Sequence, residues 1–139
     1  MPALSVWAIR CALLYLGVGF TLGGLMLGAR GGVLSAGLMR IRPLHIELLL
    51  IGWTVQLAFG VSYWILPRTK GGRRTEPLAW GSLLLLNMGV LTTGIGGFLA
   101  AQRGVLVLGR VAELLAAFAF ALHAWPRARL YSSLRGPGQ

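Results

Sequence analysis

Four long apolar runs, at about 6–29, 43–66, 78–101 and 105–125, limit what this chain can fold into more than any other feature. Each holds about 20 or more residues, enough to cross roughly 30 Å of hydrocarbon at about 1.5 Å of rise per residue. Lipid offers no water to a free backbone N–H or C=O, so each run must be helical. The 139 residues are 56% hydrophobic and 12% charged, with a mean hydropathy of +0.75. Such values exclude an ordinary soluble domain. They predict an all-α protein, an integral membrane four-helix bundle forming one domain over 1–139. Breaker residues divide the runs. Arg30-Gly31-Gly32 closes the first, Pro67 to Pro77 with Gly71-Gly72 separates the second and third, and Gln102-Arg103-Gly104 predicts a tight turn before the fourth. The first run is too long for the apolar core of a signal peptide and no A-x-A-like site follows it, so a retained helix is expected.

The net charge of +10 rests on thirteen Lys and Arg against three acids. These bases fall mainly between apolar runs, where they orient helices and meet headgroups, so nucleic acid is not an expected partner. Arg10, Arg68, Lys70, Arg73, Arg74, Arg127, Arg129 and Arg135 share one side. Arg30, Arg40, Arg42 and Arg103 take the other, with Arg110 deeper in the fourth run. The positive-inside rule then predicts cytoplasmic N- and C-termini, in what is expected to be a bacterial inner membrane. Cys11, the single cysteine, excludes an internal disulfide and a CxxCH heme attachment. Gly19–Gly23, Gly24–Gly28 and Gly28–Gly32 have small-xxx-small spacing, as used by dimer faces and by packing within a bundle; the second use is expected here.

Ionisable residues inside membrane spans are costly and mark function by default. His45 lies about one turn into the second run, near the outer face. It is either an interfacial imidazole solvated by headgroups or an axial ligand of a metal cofactor. Arg40 and Arg42, just before it, would pair heme propionates in the second case or form a snorkelling belt in the first. His123, in Leu122-His123-Ala124-Trp125-Pro126-Arg127, falls near the inner face. It is expected as an interfacial residue beside a Trp belt, with a second heme or a quinone contact as the alternative. Spans two and four run in the same direction, so about 25–30 Å of rise separates the two histidines and one iron cannot take both. Arg110 and Glu113 stand three apart and can pair. They are read either as a structural ion pair, or a protonated Glu113 facing Asn87, Thr92, Thr93 or Gln56, or as a proton or quinone site. Glu47, two residues after His45, faces elsewhere and is expected to meet loop arginines.

The stretch from Gly37 to Thr69 resembles the second transmembrane helix of the catalytic subunit of heme–copper oxidases, above all the cbb3-type oxidases and nitric oxide reductases. The resemblance rests on the entry Arg40-Ile41-Arg42-Pro43-Leu44-His45, on Gly52 and Gly60, and on the exit Ser62-Tyr63-Trp64 before Pro67-Arg68. It covers about a quarter of the chain, or nearer half with the first helix. It implies that His45 is one axial ligand of the iron of a heme b held near the outer leaflet. Those catalytic subunits have about a dozen helices, with copper-binding histidines on later ones. This chain has two histidines, too few for a heme–copper centre, so oxygen or nitric oxide reduction is not expected.

The expectation is therefore a small membrane b-type cytochrome, an electron carrier and not an enzyme. Its sixth ligand would come from His45 of a second copy across a two-fold axis, from Met26 or Met39, or from another subunit of a larger redox complex; the shared-heme homodimer is preferred. Two rivals stand beside it. One is a non-catalytic accessory subunit of a respiratory or photosynthetic complex. The other is a quinone- or heme-handling enzyme subunit using Glu113, Arg110 and His123. A transporter fits less well, for lack of inverted repeats or broken helices.

Overall fold

The computed structural model describes residues 1–66 and 72–134, with side chains for 1–66 and 76–128. Among these residues all regular structure is helical: α1 (Ala3–Arg30), a 3₁₀ turn (Ala36–Ile41), α2 (Arg42–Glu47), a π-helical stretch (Leu48–Val55), α3 (Gln56–Ile65), α4 (Gly72–Phe98) and α5 (Arg103–Leu134). Four spans, Ala3–Arg30, Ala36–Ile65, Glu76–Phe98 and Arg103–Ala128, are long and apolar enough to cross a membrane. The chain is thus an all-helical membrane protein. The orientation argument leans on Arg68 and Lys70 and on Arg73, Arg74, Arg129 and Arg135. The first two and Arg135 lie outside the described residues, and the side chains of the others do as well.

Two sequence expectations on local structure need correction, and the second span carries an irregularity of its own. The second span is one continuous rod only in length. It enters through a 3₁₀ turn and widens to π geometry directly after Glu47, where Thr54 Oγ1 donates to Leu49 O at 3.0 Å. The third span ends at Phe98 and the turn falls on 99–102, because α4 closes through its own carbonyls: Ala101 N donates to Gly96 O (2.8 Å) and Ala100 N to Gly97 O (3.4 Å), with Ala100 at φ 51°. Gly104 is inside α5 instead. Pro77, read as the end of a loop, lies within α4. The first helix stops as its glycines predict. Val33 N bonds Gly28 O (3.0 Å), Gly32 N bonds Ala29 O (3.3 Å), and Gly32 takes φ 76°.

The spans pack in chain order, α1 on the second span, the second span on α4, and α4 on α5, with the middle seam the least extensive. Glycines make these seams close. A Cβ on Gly60 would meet Ala8 and Ile9 at 3.1 Å, and one on Gly89 would meet Glu113 Cγ at 2.7 Å. Gly19 and Gly23 face the second span, so this pair serves packing within the bundle, whereas Gly17 and Gly24 face open space. Tyr15 crosses over Gly52 to donate to Asn87 Oδ1 at 2.8 Å, tying the first span to the third. At the end carrying the termini, Leu4, Ala8, Phe59, Tyr63, Ala79, Leu83, Leu86, Ala116 and Phe120 form the apolar core. Phe59 and Phe120 stack there at 4.0 Å and 8°. The outward faces stay apolar, with Leu14, Leu27, Leu108 and Leu114 exposed, as lipid contact requires.

Candidate functional site

Polar residues collect at the end of the bundle opposite the termini, on two faces of one helical turn. His45 and Glu47 are two apart on α2, so their side chains diverge: His45 turns to α1 and Glu47 to α4 and α5.

On the first face, His45 Nδ1 lies 2.8 Å from the carbonyl oxygen of Gly19. A carbonyl only accepts, so Nδ1 carries the proton and donates. In the neutral imidazole Nε2 then keeps its lone pair. The close approach depends on Gly23, where a Cβ would stand 2.8 Å from His45 Cε1. Backbone-fixed tautomers of this kind are what orient ligating histidines in metal and heme sites. An imidazole held in this way offers one lone-pair nitrogen, Nε2, of the kind that can ligate a metal. Met26, half-buried on α1, is one turn beyond Gly23 and on the same helix face. Arg40 and Arg42 are both exposed at the entry to α2, where charged groups of a ligand or of lipid can reach them. No group of three or more His, Cys, Asp or Glu able to hold a metal ion occurs among the described residues.

On the second face, Arg110 clamps Glu47 end-on, with Nη1 donating to Oε1 at 3.0 Å and Nη2 to Oε2 at 2.7 Å. Nη1 also donates to Glu113 Oε2 at 2.8 Å, and Thr93 Oγ1 donates to Glu113 Oε1 at 3.0 Å. Spans two, three and four thus meet in one network. The two carboxylates are buried, while the Arg110 side chain is 53% exposed. Gly94 permits the meeting, since a Cβ there would stand 3.4 Å from that of Glu47. The pairing of Arg110 with Glu113 and the contact with Thr93 agree with the sequence reading. Glu47 does not: its partner is Arg110 within the fourth span, and among the described residues no loop arginine bonds it. Depth could have revealed this. By the run boundaries Glu47 and Arg110 each lie a little over one turn below the same end of their spans, and opposite charges at one depth in lipid seek one another. Beside the network, Arg42, Pro43, Ile46, Glu47, Thr93, Gly97, Leu106 and Arg110 line a groove of about 410 Å³.

His123, expected beside a Trp belt at the inner end of its span, does not face outward there. It is buried, stacked on Tyr63 at 5.4 Å and 13°, beside Phe120 at 6.3 Å. Arg127, also buried, sits 5.3 Å over the Tyr63 ring. His123 is ten residues from Glu113, about 15 Å along α5, so it belongs to the core at the termini and not to the Glu113–Arg110 cluster. Its partner Tyr63 lies about 27 Å along the second span from His45.

No family model matches the sequence, and neither a curated protein nor a solved structure is found to be similar to it.

Proposed function

We propose that this chain is a small membrane b-type cytochrome that holds heme b non-covalently through Nε2 of His45 and passes single electrons. The observation that carries the reading is the hydrogen bond from His45 Nδ1 to Gly19 O, which leaves Nε2 as the only ring nitrogen with a lone pair. The likeness of the Arg-x-Arg-Pro-Leu-His entry to the heme-binding helix of heme–copper oxidases supports it. The heme would supply the one-electron chemistry. The chain's own residues would hold the iron, keep the imidazole from turning, and neutralise propionates at Arg40 and Arg42. In this reading His45 would lie near the outer leaflet of a bacterial inner membrane with the termini in the cytoplasm, and the remaining ligand would come from His45 of a second copy or from Met26.

A reduced-minus-oxidised spectrum of the purified protein, expressed with ample heme, tests this. A b-type spectrum that His45→Ala abolishes is the expected result. Its absence from the wild-type protein would overturn the proposal. It would then favour an accessory subunit of a respiratory or photosynthetic complex, a role supported by the first and fourth spans: only 11% and 22% of their most apolar stretches are buried, which leaves wide apolar faces for other helices.

A further inference from the structure

Arg110 has donors left over. A guanidinium offers five N–H groups. Glu47 takes the end-on pair, one from Nη1 and one from Nη2, and Glu113 takes the second hydrogen of Nη1. Nε–H and the second Nη2–H remain, and these form the side-on fork of the guanidinium. The side chain that bears them is 53% exposed and lines the groove of about 410 Å³. That volume falls within the roughly 300–1,000 Å³ of small-molecule sites. Pro43, Ile46 and Leu106 give it apolar walls, and Gly97 leaves one wall without a side chain.

Three constraints define an occupant. It must present hydrogen-bond acceptors, because the fork only donates. It should be uncharged at that point, because the two buried carboxylates that Arg110 bonds, Glu47 and Glu113, would repel another anion. It must be lipid-soluble. Arg110 is seven residues into α5, about 10 Å from the helix start, and so below the level of lipid phosphates in a span of this length. We propose that this groove binds the headgroup of a lipid quinone, with a ring carbonyl on the Nε–H/Nη2–H fork of Arg110, the ring between Pro43, Ile46 and Leu106, and the tail in lipid. The ester carbonyl of a phospholipid shares this chemistry. The choice of a quinone rests on the redox function proposed above.

The full-length protein in nanodiscs free of quinone is titrated with decylubiquinone and with menadione, and heme is measured in the same samples. Saturable binding of about one quinone per chain is expected. Arg110→Lys should weaken it by roughly tenfold or more while the chain stays folded, because lysine keeps a charge facing Glu47 and Glu113 but lacks the fork. A merely structural arginine would give the opposite pattern. Ile46→Trp, which fills the groove from its exposed side, should abolish binding while the fold is retained. No saturable binding, or binding that both variants leave unchanged, overturns the proposal. So does a phospholipid co-purifying with the wild type, lost in Arg110→Lys and not displaced by quinone, which assigns the groove to lipid. Quinone binding without any heme sinks the cytochrome reading and leaves this site standing; heme without quinone binding does the reverse.

Discussion

Arg110 on the fourth span and Glu47 on the second are joined by two parallel hydrogen bonds, of 3.0 and 2.7 Å, across the apolar part of the bundle. The bidentate fit orients both groups, and Glu113 adds a third bond at 2.8 Å. Removing the cation leaves two buried carboxylates without a counter-charge. Arg110→Gln should therefore cost about 3 kcal/mol, the low end for breaking a buried pair, because the guanidinium itself is half-exposed. Adding Glu47→Gln to Arg110→Gln should recover part of that loss. Detergent-micelle unfolding followed by circular dichroism measures both, and equal losses in the single and double variants would show that the Glu47 carboxylate carries no penalty when its partner is gone.

Gly23 and Gly24 are neighbours in α1 with opposite surroundings. A methyl on Gly23 would stand 2.8 Å from His45 Cε1, whereas Gly24 has nothing within 4 Å. Gly23→Ala should push the imidazole off the Gly19 carbonyl, lower heme content and reduce stability. Gly24→Ala should leave heme content unchanged and stabilise the helix by about 0.5–1 kcal/mol. Soret absorbance per chain and thermal unfolding of the two variants make the comparison; equal heme content in both would detach His45 from the ligand role.

Heme stoichiometry separates the ways of completing the coordination. A heme shared across a two-fold axis gives about half a heme per chain in the pyridine hemochrome assay. A value near one directs attention to Met26, and Met26→Leu should then shift the midpoint potential downward, since thioether ligation raises it.

Arg40 and Arg42 stand exposed at the entry to α2. If they pair propionates, replacing both with Gln should move the midpoint potential of the heme, because two positive charges are removed from beside it. An unchanged potential in a redox titration would reduce them to interfacial anchors.

Ala100 occupies the left-handed position at φ 51° that ends α4, where a Cβ crowds the following carbonyl. Glycine has no such penalty. Ala100→Gly should raise stability by about 1 kcal/mol or slightly less, the gain being offset in part by a freer unfolded chain. Thermal unfolding reads this directly, and a loss of stability would mean that the Ala100 methyl makes a packing contact worth more than the strain.

Composition and apolar run length by themselves determined that the described chain has four membrane-length helices and no strands, because the hydrocarbon demands a helix wherever about twenty apolar residues follow one another. The pairing of Arg110 with Glu113 was legible for the same local reason, as a spacing of three on one helix puts them on one face. Tertiary structure alone decided what these helices do to one another. Glu47 meets Arg110 rather than a loop arginine because α2 turns that face toward α5 where Gly94 lets α4 come close. His45 gives Nδ1 to Gly19 because Gly23 admits its ring, and His123 is buried because Tyr63 covers it. Rotation of one helix about its axis is invisible in a chain whose apolar residues surround it. The π-helical turn of the second span changes that rotation partway along, so only the assembled bundle sets which polar atoms share a site.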